Sequence, residues 1–374
     1  MKLLTFLALF FLSFLNPADK EYYLIVGTYD SPKSEGIYVY KFNGADGSAK
    51  EVSHIKTPNP SFVAVSPDEK YVYAAHEIGR GGNGGEIAAF SFDKKQGTLS
   101  FINQQLSGGD HPCYVLVDKT GHWVFAGNYT SGSLSVLPIH EDGSLGVATT
   151  VIQHKGSSKD TARQKGPHVH CTMISADNKW LFVPDLGMDK VMIYAFDVKT
   201  GKLTPARQPF AQSIPGSGPR HFVFHPNNKY AYLVEEMSGT VEAFQYNNGS
   251  LKNIQRISTL PAGDTGLIGS ADIHVSADGK FLYASNRGKE GSNMIAIFKI
   301  DPGNGILKAI GHQSTLGKIP RNFNFDPSGN FLLVANQESD EVVIFKINKT
   351  TGLLTDTGQR ISVGKPVCIK WISE

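Results

Sequence analysis

The chain alternates short apolar stretches with polar turns, and one such unit recurs about every fifty residues. In each copy an apolar strand leads into a turn resembling Ser-Pro-Asp-Gly, and a second strand then begins with an aromatic residue. Alternating stretches such as GIYVYKF from Gly36 follow, which are typical of half-buried β-strands. We call the aromatic residues that open the second strands the lead aromatics: Tyr23, Tyr71, Trp123, Trp180, Tyr230, Phe281 and Phe331.

Seven copies with four short strands each predict an all-β fold, a seven-bladed β-propeller with antiparallel strands in every blade. The copy YLIVGTY from Tyr23 lacks its own first strand, and KPVCIKW from Lys365 resembles the missing strand. The N- and C-terminal strands are therefore predicted to close one blade together, which removes the open edge that a sheet must otherwise protect. No helical period is sustained beyond the first eighteen residues, so residues 19–374 are predicted to form one domain.

In a propeller the first strand of each blade lines the central channel, and the second strand runs antiparallel beside it. The start of each first strand and the end of each second strand therefore lie on one face, which we call the channel mouth. The residues predicted at the start of the first strands are Ser61, Cys113, His168, Arg220, Asp272, Arg321 and Val367. Those at the sixth position after the lead aromatics are Tyr29, Glu77, Tyr129, Leu186, Glu236, Arg287 and Gln337.

Three arginines and two glutamates are predicted at this mouth. Guanidinium groups in one opening repel one another, so paired carboxylates or an anionic partner should accompany Arg220, Arg287 and Arg321. Glu77 and Glu236 are the carboxylates at the sixth position. Polar groups that converge at a concave opening form the default ligand site, so we predict that a small anionic molecule binds here.

Two further sets of polar residues leave their roles open. The fifth position after the lead aromatics is polar in all seven copies, and it includes Asp185 and Asn286, which could bind substrate or satisfy strand-end turns. His168 and His170 form H-x-H on a predicted strand and share a face, so one could act in catalysis or substrate binding, or both could be core histidines. Zinc needs a further ligand that no spacing supplies, so no metal is expected.

Charge and motifs exclude several classes of function. The net charge is only +2, from 36 Lys+Arg against 34 Asp+Glu, so no nucleic-acid partner is expected. Gly79, Gly81 and Gly84 fit G-x-G-x-x-G, but a strand follows them instead of a helix, so the dinucleotide interpretation fails and no cofactor is expected. The three cysteines lie far apart in apolar stretches and predict buried thiols.

The first residues differ from the rest of the chain. Lys2 precedes an apolar stretch from Leu3 to Leu15 that has the length of a signal-peptide core and is short for a membrane span. We therefore expect a signal peptide over residues 1–18 and an exported protein, periplasmic or secreted, with no stable membrane insertion after the leader is removed. An uncleaved N-terminal anchor is the alternative.

Four stretches of the repeats resemble the seven-bladed β-propeller lactonase family over essentially the whole mature chain. That family contains the propeller-type 6-phosphogluconolactonases and a fungal carboxymuconate cycloisomerase. The stretches are GPHVHCTMISADNKWLFVPDLGMDKV from Gly166, GPRHFVFHPNNKYAYLVEEMSGTV from Gly218, SADGKFLYASNRG from Ser276 and IPRNFNFDPSGNFLLVANQ from Ile319.

The resemblance implies metal-independent hydrolysis of a sugar lactone at the channel mouth. A His, two Arg and a Glu act on the lactone ring in that family, and the matching positions are His168 (or His170), Arg220, Glu236 and Arg287. Glu236 or His168 would be the base that activates water, while the arginines would hold the anionic substrate and stabilise developing charge. The residues expected to bind substrate are His170, Arg321, Asp185, Asn286 and Glu77.

Three other functions stay open from the sequence. The same residues could serve a lactonising isomerase that adds no water, or the propeller could bind a ligand without chemistry. A calcium-dependent lactonase is a minor option, because Asn and carboxylate oxygens suit Ca²⁺. The leader also disfavours a phosphorylated substrate, since export leads away from the cytosol, and it favours another sugar lactone or an organic-acid lactone.

Overall fold

The computed structural model describes residues 20–81, 84–263, 269–288 and 292–374. These residues form seven sheets of four antiparallel strands, with a short 3₁₀ turn at Gln337–Ser339. In this part of the chain no helix has the length and apolarity needed to cross a membrane. The predicted signal peptide, residues 1–18, lies outside the described residues.

The strands follow the predicted repeat along the whole described chain. The first fourteen are β1 (Glu21–Thr28), β2 (Gly36–Asn43), β3 (Ala49–Lys56), β4 (Pro60–Val65), β5 (Tyr71–His76), β6 (Glu86–Asp93), β7 (Thr98–Leu106), β8 (Pro112–Val117), β9 (Trp123–Asn128), β10 (Ser133–Pro138), β11 (Thr150–Gln153), β12 (Met173–Ile174), β13 (Trp180–Asp185) and β14 (Lys190–Asp197). The other fourteen are β15 (Lys202–Gln212), β16 (Pro219–Phe224), β17 (Tyr230–Glu235), β18 (Thr240–Asn247), β19 (Ser250–Ser258), β20 (Ser270–Val275), β21 (Phe281–Asn286), β22 (Met294–Ile300), β23 (Leu307–Ser314), β24 (Pro320–Phe325), β25 (Phe331–Asn336), β26 (Glu341–Ile347), β27 (Leu354–Ser362) and β28 (Pro366–Ser373).

Each sheet is one blade of a propeller. From the channel outwards blade 1 has the order β28-β1-β2-β3, and blades 2 to 7 are β4–β7, β8–β11, β12–β15, β16–β19, β20–β23 and β24–β27. β1 pairs with β2 on one side and with β28 on the other, so the two ends of the chain share blade 1. The prediction of a seven-bladed propeller closed by the terminal strands is confirmed.

Neighbouring blades are joined by a contact between each lead aromatic and a glycine of the next blade. The glycine lies in the turn between the third and fourth strands with a left-handed φ, and an added Cβ would lie within about 3 Å of the ring. At Gly201, for example, a Cβ would stand 2.4 Å from Cζ3 of Trp123. The seven pairs run around the whole ring: Tyr23 with Gly97, Tyr71 with Gly143, Trp123 with Gly201, Trp180 with Gly249, Tyr230 with Gly305, Phe281 with Gly352, and Phe331 with Gly47.

The core lies between the blades. Successive side chains of each strand point alternately toward the two neighbouring blades, so apolar residues are buried on both faces of a sheet. At the junction of blades 7 and 1, Leu24, Phe42 and Leu333 are fully buried in one cluster. Phe42 also packs edge-on against Trp371, with ring centroids 5.0 Å apart, so this interface includes strands from both chain ends.

The innermost strand of blade 4 is shorter than the sequence indicates. The prediction of a regular strand through His168 and His170 was wrong, because β12 contains only two residues and residues 168–172 join the sheet through one isolated bridge, Val169 to Asp185. The Asp185 carboxylate accepts the backbone N–H of His168 at 2.8 Å and that of Gly187 at 3.0 Å. The Asp185 side chain thus accepts backbone hydrogen bonds here, in place of regular backbone pairing between two strands.

Replacing Gly201 by alanine tests the contact between blades. Gly201 and Gly329 have similar left-handed φ values, 69° and 67°, but a Cβ at Gly329 would meet no atom within 4 Å. We expect Gly329→Ala to lower the free energy of unfolding by about 1 kcal/mol, from backbone strain alone. Gly201→Ala should cost about 2 kcal/mol more, because the Trp123 ring must move. Chemical denaturation measures both, and equal losses would contradict the proposed role of the contact.

Candidate active site

A backbone hydrogen bond marks the same level at the mouth of every blade. The N–H of each sixth-position residue donates to a carbonyl just before the innermost strand; Glu236 N, for instance, donates to Gly218 O at 2.7 Å. In each blade we take the residue two positions after the accepting carbonyl as the first residue of the innermost strand that lines the channel. The residues at this level are Ser61, Cys113, His170, Arg220, Ala271, Arg321 and Val367.

Two residues predicted at this level lie elsewhere. Leu186 N donates to His168 O at 2.9 Å, so His168 precedes the level and His170 occupies it. Arg287 N donates to Gly269 O at 3.1 Å, so Asp272 lies one residue deeper in the channel. The predicted register was wrong in blade 4 because Pro167 belongs to the preceding loop, and in blade 6 because no proline marks the start of the strand.

The structure brings three guanidinium groups onto the Glu236 carboxylate. Arg163 Nη2 lies 2.7 Å from Oε1, while Arg220 Nε and Arg287 Nη2 lie 2.9 and 2.8 Å from Oε2. Arg220 is almost completely buried and Glu236 and Arg287 are largely so, whereas the side chain of Arg163 is 46% exposed. Glu236 is the carboxylate that forms an ion pair with each of the two buried arginines, which matters because burial of an unpaired charge is costly.

The electrostatics keep Glu236 ionised. Burial alone would raise its pKa, but Arg287 and Arg220 outweigh burial and hold the pKa of Glu236 well below its ordinary value. Burial lowers the pKa of Arg220 to about 10, and repulsion from Arg287 and Arg321 acts in the same direction. A carboxylate with so low a pKa is a weak base, so its chemistry here is that of a fixed negative charge.

Glu77 and Arg321 form a second, looser cluster with Tyr29. The Tyr29 hydroxyl donates to Glu77 Oε2 at 2.7 Å, and burial raises the pKa of Tyr29, so it stays a neutral phenol. Arg321 lies over the Tyr29 ring, with Cζ 5.4 Å from the centroid, and its Nη2 is 3.8 Å from Glu77 Oε2. That separation exceeds a hydrogen bond, and the Arg321 guanidinium makes none to any residue in the described ranges. Its N–H donors are therefore available to a ligand.

One ring nitrogen of His168 is hydrogen-bonded to the protein, and the other has no hydrogen-bond partner among the described residues. Its Nδ1 lies 2.9 Å from the carbonyl oxygen of Tyr129, and its ring stacks on Tyr129 at 4.5 Å between centroids. Because a carbonyl can only accept, Nδ1 carries a proton, and the neutral form of the ring therefore has its lone pair on Nε2. The hydroxyl of Tyr129 accepts a hydrogen bond from Arg163 Nη2 at 3.0 Å, so Tyr129 links His168 to the Glu236 cluster.

His170, Asp185 and Asn286 have a more buried setting. Burial lowers the pKa of His170 well below its ordinary value, and nearby Arg220 adds to this, so His170 is neutral. Asp185 accepts from His154 and three backbone N–H groups. The Asn286 side-chain oxygen accepts from the hydroxyls of Thr259 and Ser270, and its amide donates to the Thr259 carbonyl. Protein partners thus engage the polar atoms of Asp185 and Asn286, as the strand-end alternative expects, and a substrate role for either stays a prediction.

Arg163 is the site residue that the sequence reasoning did not find. It lies in the loop between β11 and β12, outside the strand ends from which the mouth was predicted. The only sequence signal was indirect: the spacing of 57 residues between Trp123 and Trp180 is the longest in the chain, which indicates extra residues in that unit. Nothing in the loop composition distinguishes Arg163 from the neighbouring lysines.

The described part of the mouth carries an excess of positive charge. The guanidinium groups of Arg163, Arg220, Arg287 and Arg321 face the two carboxylates of Glu77 and Glu236. The described ranges contain no cluster of three or more His, Cys, Asp or Glu side chains that could hold a metal ion. The arrangement favours a small anion and a reaction in which negative charge develops.

Comparison with known proteins identifies the family. The family model described as lactonase, 7-bladed beta-propeller, matches residues 23–371, so the chain belongs to the seven-bladed β-propeller lactonase family. A 6-phosphogluconolactonase of Formosa agariphila is 40% identical over 343 residues, 91% of this chain and 96% of that protein. One from Bacillus subtilis is 37% identical over 354 residues, 93% and 98% of the two chains. The solved structure of a periplasmic gluconolactonase from Pseudomonas aeruginosa superposes with a TM-score of 0.89 at 39% identity, covering 94% of this chain and 99% of that one.

Replacing Glu236 by glutamine tests its structural charge. Arg220 and Arg287 would lose their shared counter-charge, so the free energy of unfolding should fall by about 3 kcal/mol at pH 7. Because the pKa of Glu236 is depressed in the folded state, its stabilisation is full above the ordinary glutamate pKa and is lost as the pH falls through the folded value. Urea denaturation from pH 7 down to pH 3 measures the difference, which should shrink with acidity.

A matched control is Glu242→Gln in the adjoining strand. Burial, together with the neighbouring Glu235, raises the pKa of Glu242 to about 7, so the folded state favours its neutral form. Glutamine imitates that form, and Glu242→Gln should cost less than about 1 kcal/mol. Equal losses for the two variants at pH 7 would contradict the importance of the Glu236 charge.

Proposed function

We propose that this protein hydrolyses a sugar lactone at the channel mouth. The observation that carries the proposal is the set of arginines around Glu236 together with Arg321, whose donors have no protein acceptor among the described residues. It is supported by membership of the lactonase family and by relatives named 6-phosphogluconolactonase. Lactone opening converts a carbonyl into an oxyanion and then into a carboxylate, which is the kind of charge this mouth is built to receive.

His168 is proposed as the general base. Its Nε2 takes a proton from water while the water oxygen attacks the lactone carbonyl carbon, which gives a tetrahedral oxyanion and an imidazolium. As the oxyanion collapses, the bond from the carbonyl carbon to the ring oxygen breaks, and His168 returns the proton to that oxygen. The products are a hydroxy acid and the unchanged protein. The bond from His168 Nδ1 to Tyr129 O keeps the ring oriented throughout.

Glu236 is proposed to position the arginines instead of acting as the base. Its depressed pKa makes it a poor proton acceptor, while its two oxygens orient Arg163, Arg220 and Arg287. Arg220 and Arg287 would then stabilise the oxyanion without having to move during the reaction, which is the main advantage of a preorganised site. Arg321 would bind a phosphate or carboxylate of the substrate, because its N–H donors have no hydrogen-bond acceptor among the described residues.

Export of the protein is also part of the proposal. The apolar stretch from Leu3 to Leu15 follows Lys2 in the manner of a secretory leader. A periplasmic gluconolactonase is among the structures that superpose over nearly the whole chain. An exported enzyme meets unphosphorylated sugar lactones more readily than phosphorylated ones, so gluconolactone itself is the first substrate to test.

The base is tested with His168→Asn. An asparagine amide can still donate to Tyr129 O but cannot accept a proton, so kcat should fall about 100- to 10,000-fold. Acid release at constant pH from gluconolactone and from 6-phosphogluconolactone, corrected for spontaneous opening, measures the rates. His122→Asn, an exposed histidine in a turn on the opposite face, is the control and should match the wild type. A wild type that opens neither lactone above background would refute hydrolysis and leave an isomerase or a binding propeller.

The role of Arg321 is tested with Arg321→Met on the same two substrates. A guanidinium that binds the substrate phosphate contributes only to the phosphorylated lactone, so its KM should rise about tenfold or more, while the KM for gluconolactone changes little. The unchanged Tyr29–Glu77 hydrogen bond should keep the local structure intact. An equal rise for both substrates would contradict phosphate binding by Arg321 and place this side chain at the lactone ring.

A further inference from the structure

A chain of hydrogen bonds begins at Arg220 and runs down the channel. Its Nε donates to Glu236, and its Nη1 donates both to the Ala271 carbonyl at 2.5 Å and to Nε2 of His221 at 3.2 Å. His221 is the next residue of β16 and is itself buried. No acceptor for Nη2 of Arg220 occurs among the described residues, so Nη2 is the one edge of the guanidinium left for a ligand.

The state of His221 is determined by Asp272, which lies on the innermost strand of the neighbouring blade 6. Nδ1 of His221 donates to Asp272 Oδ1 at 2.7 Å. The other donors to Asp272 are the ring of His274, the amide of Asn322 and the backbone N–H groups of Ile273 and Phe323. Every one of these groups can donate, which is what an ionised carboxylate requires, and the histidines hold the pKa of Asp272 well below its ordinary value although burial opposes them.

This arrangement selects one tautomer of His221. Because Asp272 is a carboxylate and can only accept, Nδ1 of His221 must carry the proton, and Nε2 must present its lone pair to Arg220. Burial, with Arg220 nearby, lowers the pKa of His221 to about 4, so the ring stays neutral near pH 7. A protonated or flipped ring would instead direct an N–H toward the N–H of Arg220, which would repel it.

Aromatic neighbours prevent the His221 ring from turning. It packs edge-on against Tyr114 at 5.3 Å and His170 at 5.4 Å, and it contacts Phe62 at 6.0 Å. Nε2 therefore lies at a fixed point below Arg220. Glu236 binds Nε of Arg220, while His221 and the Ala271 carbonyl bind Nη1. Because the guanidinium is planar, these contacts also determine the direction in which Nη2 points.

We propose that His221 and Asp272 are positioning residues, which hold Arg220 by a fixed histidine tautomer so that its Nη2 faces the substrate anion. The inference rests on the proposed function, because it assumes that Arg220 meets the lactone or its oxyanion. Neither residue contacts the substrate. They act only through Arg220, in the way that outer ligands orient a metal-binding histidine.

A double-mutant cycle tests whether His221 acts through Arg220. His221→Leu should lower kcat/KM for the lactone about tenfold to a hundredfold, and His221→Gln should stay within about threefold of wild type, because the glutamine oxygen can accept from Arg220 while its NH₂ donates to Asp272. In an Arg220→Met background, His221→Leu should have no further effect. Additive losses would show an independent structural effect and overturn the proposal.

The matched control is His225→Leu, at the far end of the same β-hairpin. His225 is also buried and bonds the next blade through Gly279 O at 2.9 Å, but it has no link to Arg220. Its loss should lower the melting temperature about as much as His221→Leu does, while kcat/KM stays at the wild-type value. A fall in kcat/KM that tracks the melting temperature in both variants would mean that His221 matters only for stability.

A measurement without catalysis separates this inference from the proposed function. Nitrogen NMR of the histidine rings near pH 7 should show His221 neutral, with the proton on Nδ1 and none on Nε2, and His221→Gln identifies the resonance. This result is expected even if the protein opens no lactone. A proton on Nε2, or a charged ring, would overturn the inference whatever the activity.

Discussion

The contact between a lead aromatic and the glycine of the following blade is the constraint on which the rest of the structure depends. A four-stranded sheet has two apolar faces, and a blade is stable only when neighbours cover both. The large ring needs a surface without a side chain to rest on, and the left-handed turn glycine provides one at seven places. Because the contact repeats at every junction, including the one between Phe331 and Gly47, the blades close into a ring.

Ring closure is also what creates the site. Each blade alone exposes one or two polar residues at the start of its innermost strand and at the end of its second strand. When neighbouring blades pack around one axis, Arg220 and Glu236 of blade 5 meet Arg287 of blade 6 and Arg163 from the loop before blade 4. The propeller thus concentrates charges from distant parts of the chain that no single sheet could hold together.

The charges at the mouth are unequally satisfied. Arg220 and Arg287 are held by Glu236, which offsets the cost of burying them and orients them, whereas Arg321 has only a longer contact with Glu77 and a ring beneath it. Arginines whose donors are paired within the protein make the site rigid, whereas an arginine with free donors can contribute to the binding of a ligand. Below this level the Asp272 carboxylate gathers His221, His274 and Asn322, so the polar interior of the channel supports the mouth from beneath.

The architecture could be predicted from the sequence alone, because strand period, turn residues and lead aromatics are local properties that repeat. Spacing alone was enough to assign seven blades, the shared blade of the two chain ends, and the presence of Arg220, Arg287, Arg321, Glu77 and Glu236 at one mouth. The folded structure was needed for everything that depends on side-chain contacts which the repeat does not encode, whether within one blade or between neighbouring blades. The register of His168 and His170 follows from the Asp185 carboxylate, Arg163 reaches Glu236 from a loop without any pattern, and the tautomer of His221 is set by Asp272 from the blade beside it. A period in the sequence describes each blade separately, whereas the contacts of Arg163 with Glu236 and of His221 with Asp272 exist only once neighbouring blades have packed against one another.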